Sequence, residues 1–124
     1  MLGLILVAVG GAIGSVGRYL IGAWVQSRLG GDFPWGTFTV NLTGSLLIGV
    51  VLQLASGGPL ASEPALFLTV GILGSYTTFS TFGYDTLQLV AAGRTGAALF
   101  NALGQLFASL LAVLLGVLAA QLML

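Results

Sequence analysis

Long apolar runs alternate with short polar connections along the chain, four times over. The runs cover roughly 2–26, 36–56, 65–91 and 96–123. Each is long enough to cross a bilayer, which takes about 20 apolar residues in a helix. The connections are rich in helix breakers. Residues 26–35 hold Arg28, Gly30, Gly31, Asp32 and Pro34, and residues 56–64 hold Gly57, Gly58, Pro59, Ser62 and Glu63, with Pro64 placed as a first helical residue. Residues 92–95 hold Gly93 and Arg94. Trp24, Trp35 and Tyr84 fall near the expected span ends, where interfacial aromatics concentrate. The pattern predicts an all-α integral membrane protein, a single domain over 1–124 with four transmembrane helices. The first run has no basic leading segment and continues to Val25, so it reads as the first span rather than a cleaved signal.

Composition sharpens this and removes whole classes of function. Of 124 residues, 57% are hydrophobic and 5% charged, against about 25% charged in soluble domains. Three arginines, two aspartates and one glutamate are too few to clothe a soluble surface. Without lysine there is no polybasic patch for nucleic acid or anionic lipid. Without cysteine there is neither disulfide nor thiolate metal site, and without histidine the commonest general base is missing. No nucleophile–base pair is visible, so an enzyme is not expected.

The informative residues are the polar ones inside the apolar runs. Thr37, Asn41, Ser45 and Gly49 recur every four residues in the second run, and Asn101, Gln105 and Ser109 do so in the fourth. That spacing puts each set on one helical face. Two readings stand for Asn41: a donor to a passing solute, or interhelical glue. Two stripes facing a third polar cluster suggest a continuous track. Lacking carboxylate and lysine, it suits a neutral solute, or an ion solvated by hydroxyl and amide dipoles.

The third run holds that cluster: Gly71-Ile72-Leu73-Gly74-Ser75-Tyr76-Thr77-Thr78-Phe79-Ser80-Thr81-Phe82. Two glycines and five hydroxyls near mid-span predict a broken or strained helix facing a pathway, since irregular backbone survives in a membrane only against protein or a wet cavity. A break near Gly74 to Thr77 would expose carbonyls, which suit a cation, and N–H groups, which suit an anion. Phe79 and Phe82 lie near each other on one face. Their positive ring edges would coordinate an anion weakly, or the pair is ordinary packing.

Arg18 lies toward the end of the first span, either snorkelling to the interface or forming a vestibule charge that concentrates anions. Asp85, three residues after Phe82, either pairs with an arginine or lies at the span's exit. Four spans place both termini on one side and Arg28 and Arg94 on the other, a slender positive-inside bias that leaves either orientation, or both, open. Gly10 and Gly14 allow close helix approach. With 20 glycines the helices are thin-walled, and four of them would leave the polar groups poorly covered. A homo-oligomer, most economically a dimer, is expected.

Three stretches together resemble the Fluc (CrcB) fluoride channel family over the whole chain: Gly10-Gly11-Ala12-Ile13-Gly14 through Arg18-Tyr19; Gly36-Thr37-Phe38-Thr39-Val40-Asn41 through Gly44; and Gly71 through Gly74 followed by Thr77-Thr78-Phe79-Ser80-Thr81-Phe82. The resemblance implies an antiparallel dual-topology homodimer in the inner (plasma) membrane, with the third helix broken at mid-membrane and two fluoride pores at the subunit interface. It implies passive, protective efflux of fluoride. By the same analogy the backbone carbonyls of Gly74 and Thr77 from both subunits hold a central structural sodium ion. Phe79 and Phe82 match the family's phenylalanine box, Asn41 its pore asparagine, Ser80 and Thr81 its lining hydroxyls, Arg18 a vestibule arginine, and Ser109 part of the fourth helix's polar track. The chain departs from the family pattern at Ser75, Tyr76 and Gly83.

Two other classes compete. A small multidrug-type antiporter also has four short helices in a dual-topology dimer, but it needs a membrane-embedded carboxylate, and Glu63 and Asp32 fall in expected loops. A non-catalytic subunit of a larger membrane complex would show no transport when purified alone.

Overall fold

The computed structural model describes residues Met1–Leu124 and is entirely helical. Helix α1 spans Leu2–Leu29 and α2 Trp35–Gly57. Helix α3 begins as Ser62–Leu66, widens into π turns over Phe67–Leu73 and closes as Gly74–Tyr76. Helix α4 is Phe79–Ala91 and α5 is Thr95–Met123. Taken as four spans, with 62–91 as one, the helices are long and apolar enough to cross a membrane.

The helix ends follow from local chemistry. Gly30 and Gly31 at φ 67° and 75° turn the chain out of α1, and Gly93 at φ 75° does so between α4 and α5, conformations that other L-residues avoid. Arg28 sits in the last turn of α1, where its charge complements the exposed carbonyls, and its guanidinium lies 5.7 Å from the Trp24 ring centroid. Gln26 organises the first connection. Its amide donates to the carbonyls of Gly31 (3.2 Å) and Phe33 (3.0 Å) and accepts from Gly36 N–H (3.1 Å). Pro64 is the third residue of its helix rather than the first. Its missing N–H costs nothing there, because the first turn has no acceptors for it.

Glycine sets how closely the helices approach. A Cβ on Gly10 would lie 2.8 Å from Gly71 Cα, and one on Gly14 would strike the Ile72 carbonyl. These contacts bring α1 onto the π turns of α3. Gly49 and Gly116 do the same for α2 and α5, where a Cβ on either would strike a carbonyl of the facing helix (Val113 O, Leu46 O). Phe33, Trp35, Phe38 and Phe100 close one end, with the Phe33 and Trp35 centroids 4.5 Å apart. At that end an exposed Arg94–Asp32 pair (3.8 Å) links the two connections. Only 18 of the 124 residues are buried within one chain, so most of its apolar surface faces outward.

Candidate functional site

The third span leaves helical conformation at two residues. Thr77 (φ −79°, ψ 158°) and Thr78 (φ −149°, ψ 123°) are extended. The interruption therefore overlaps the C-terminal end of the expected Gly74-to-Thr77 window and runs one residue beyond it. Gly71 serves close packing against α1 instead, and what decides the position is a side chain from another helix. Asn41 on α2 pairs with the Thr78 peptide: Thr78 N–H donates to its Oδ1 (2.8 Å) and its Nδ2 donates to the Thr78 carbonyl (3.0 Å).

That pairing redirects the ladder. In a continuous helix Thr78 N–H would donate to the Gly74 carbonyl and Thr81 N–H to that of Thr77. Here Thr78 N–H goes to Asn41, and Thr81 N–H donates to Thr78 Oγ1 at 3.3 Å, an N-cap for α4. The carbonyls of Gly74 and Thr77 lose their helical donors, as do those of Ser75 and Tyr76 between them, since the ladder ends with Thr77 N–H on the Leu73 carbonyl. Other hydroxyls act locally. Thr69 donates to Ala65 O (2.7 Å), Ser75 to Gly71 O (2.8 Å) and Thr77 to Leu73 O (3.1 Å), covering carbonyls where no water would do so. Tyr76, one of the departures from the family pattern, is buried beside Val40 and Leu73, and its hydroxyl pairs with that of Thr43 at 2.9 Å.

Two cavities meet at the interruption, and Thr78 is the one residue that lines both. The first, about 410 Å³, is walled by α2, α4 and α5 and takes Asn41, Ser45, Phe79, Phe82, Gln105 and Ser109 among its lining. No charged residue lines it. The Phe79 and Phe82 centroids are 5.5 Å apart with the rings tilted by 40°. Phe79 is 84% exposed, so its ring stands at the open side of the single chain. The second cavity, about 530 Å³, opens toward the connections and holds Arg18, Asp32, Thr37, Thr81 and Asp85.

The structure thus divides the expected site residues. Asn41, Phe79, Phe82 and Ser109 share the first cavity, while Arg18 and Thr81 line the second. Ser80 lines neither. Its exposed side chain pairs with Thr78 Oγ1 at 3.3 Å because the N-cap turn draws it back over the interruption. The expected fourth-helix track is also split. Asn101 (0% exposed) and Gln105 (4%) are the two buried polar side chains of the protein, bonded to one another, but Asn101 lines neither cavity whereas Gln105 and Ser109 line the first. Thr43, Thr86 and the loop-organising role of Gln26 escaped the sequence reading. Thr86 lies four residues from Phe82 on one helix face, a spacing that signals its bond to the Phe82 carbonyl. No cluster of histidine, cysteine, aspartate or glutamate is placed to hold a metal by side chains.

Four long apolar helices thus enclose polar groups that line two cavities meeting at Thr78. The family model for "CrcB-like protein, Camphor Resistance (CrcB)" matches residues 5–117. The chain is 54% identical over 112 residues (90% of this chain, 88% of the relative) to a protein of Thermus thermophilus named fluoride-specific ion channel FluC. Relatives of the same name from Agrobacterium fabrum and Chloroflexus aurantiacus are 47% and 44% identical, covering 94% and 92% of this chain and 94% and 91% of theirs. The chain belongs to the CrcB family, and it is a multi-pass membrane protein of a channel family rather than an enzyme.

Proposed function

We propose that this protein is a fluoride-selective passive channel that exports fluoride across the plasma membrane. The observation that carries the reading is the uncharged cavity at the interruption, lined by amide, hydroxyl and phenyl groups. Fluoride is small and strongly hydrated. A pathway must replace its water with several donors yet release it. A buried arginine would hold the ion, whereas hydroxyl O–H groups and phenyl edges bind weakly enough to let it go. Arg18 in the second cavity would raise the local anion concentration without entering the path. The curated relatives' name points to the same ion.

The working unit in this reading is an antiparallel, dual-topology homodimer with two pathways, its third helices interrupted at mid-membrane. The exposure of Phe79 and the small fraction of residues buried within one chain favour a second copy over the open face. A structural sodium ion fits the same place. The Gly74 and Thr77 carbonyls, among the four left without helical donors at the interruption, would supply neutral oxygen donors of the kind a hard cation takes. Bound there by both subunits, it would place fixed positive charge at the centre of the dimer.

The test is fluoride efflux from liposomes containing only the purified protein, with chloride run in parallel. Rapid, passive, fluoride-selective efflux is expected. A well-behaved dimer with no efflux would overturn the channel and favour a subunit of a larger complex.

A further inference from the structure

Asn41 has no N–H to spare. One of its two amide hydrogens goes to the Thr78 carbonyl and the other to Gln105 Oε1 (2.7 Å), while its oxygen takes Thr78 N–H. A primary amide has two N–H donors, so a passing anion would have to displace a bond to use one. The chain of bonds continues away from the cavity. Gln105 Nε2 donates to Asn101 Oδ1 (2.8 Å), Asn101 Nδ2 donates to Thr86 Oγ1 (2.9 Å), and Thr86 Oγ1 donates to the Phe82 carbonyl (2.8 Å). Thr86 and Asn101 line neither cavity.

Each member fixes the next. A hydroxyl has one hydrogen to donate. That of Thr86 is committed to Phe82 O, so toward Asn101 it only accepts, and Asn101 must present its NH₂. Its oxygen then faces Gln105, whose NH₂ turns to it and whose oxygen turns to Asn41. At the far end the Thr78 peptide independently requires the same sense, because its N–H needs the Asn41 oxygen. The two ends agree, and no buried side-chain polar atom is left without a partner. Were Thr86 to donate to Asn101 instead, the Asn101 and Gln105 amides would reverse, and with Asn41 held by the Thr78 peptide the Gln105 NH₂ would face the Asn41 NH₂, donor against donor. Unpaired polar groups are expensive at such depth.

From this parity we infer that Thr86, Asn101 and Gln105 are positioning residues: the relay sets the sense of the Asn41 amide and so holds the Thr78 peptide extended and Phe82 in place beside it. The inference deepens the channel reading above and rests on it for its effect on flux.

The experiment compares the full-length wild type with Thr86→Val, Thr86→Ala and Thr86→Ser. It reads fluoride efflux from liposomes and the side-chain amide ¹⁵N–¹H signals of Asn41 in detergent. Thr86→Val and Thr86→Ala are expected to lower efflux about tenfold, equivalent to about 1.4 kcal/mol, and to shift the Asn41 signals, although Thr86 and Asn41 do not touch. Thr86→Ser, which keeps the hydroxyl, is expected to restore both. Thr86→Ala removes the same hydroxyl should the valine variant fail to fold. Unmoved Asn41 signals in the hydroxyl-less variants overturn the relay, as does equal loss of efflux in Thr86→Ser. If the wild type passes no fluoride the channel reading falls, and the amide signals still decide the relay.

Discussion

The α2–α5 seam and the interruption between α3 and α4 meet the same problem, backbone buried where no water reaches, and solve it in opposite ways. At the seam, Gly49 and Gly116 bring two unbroken helices into direct backbone contact, so every ladder bond stays inside its own helix. At the interruption the ladder is opened and its groups are handed to side chains: Asn41 takes the Thr78 peptide and Thr78 caps Thr81. The seam offers nothing to a solute. The interruption leaves the carbonyls of Gly74 to Thr77 without helical donors and two cavities at one residue. One region keeps its backbone groups within its own helices and the other hands them to side chains, and Gly44 lies between them, since a Cβ there would strike the Thr77 side chain.

Breaking the seam has the largest expected effect. Gly116→Val drives a branched side chain into the Leu46 carbonyl and Val50 N, and should cost about 3 kcal/mol or more, the upper end of overpacking penalties. Thermal unfolding in detergent should show a large drop or no folded protein. Next comes the interruption. Asn41→Leu strands the Thr78 N–H and carbonyl and the Gln105 carbonyl. All three border the open first cavity, where water takes up part of what is stranded, so the total stays at about 1–3 kcal/mol, the cost of a single unpaired buried group. Efflux should vanish while the dimer persists on size-exclusion chromatography. Loss of the dimer as well would leave Asn41 as interhelical glue alone.

Much of this contrast was legible in the chain, and what was not has a physical reason. The four spans, the helix-breaking connections and the close approach of Gly10 follow from runs of one character and from residue size, which act locally. The third run's concentration of hydroxyls announced an interruption. Its place near Gly74 to Thr77 was read to within a residue, but the group that holds it did not follow from the run itself, because Asn41 lies 37 residues away. The stripe Asn101, Gln105, Ser109 looked uniform by spacing. Tertiary packing divides it, burying Asn101 away from both cavities, bonded to Thr86 on α4, and leaving Gln105 and Ser109 at the first. Ser80 looked like a lining hydroxyl for the same reason, and a capping turn pulls it away.

Two smaller effects sharpen the comparison. Tyr76→Phe removes the bond to the Thr43 hydroxyl, and interhelical bonds in membranes average about 0.6 kcal/mol. A small loss of melting temperature with unchanged efflux is expected, since the ring packing beside Gly44 survives. Asp32→Asn breaks an ion pair whose side chains are 43% and 90% exposed. Solvent-screened pairs of this kind contribute little, so no measurable change in melting temperature is expected.

The central claim is that the interruption, not the seam, is where fluoride passes, with the ring edges of Phe79 and Phe82 beside it. The most direct measurement is fluoride efflux from liposomes through Phe79→Ile and Phe82→Ile, each alongside the wild type and each checked for an intact dimer. The account predicts suppressed efflux in assembled variants, because isoleucine fills similar space without a positive ring edge. Undiminished efflux in both variants would contradict it.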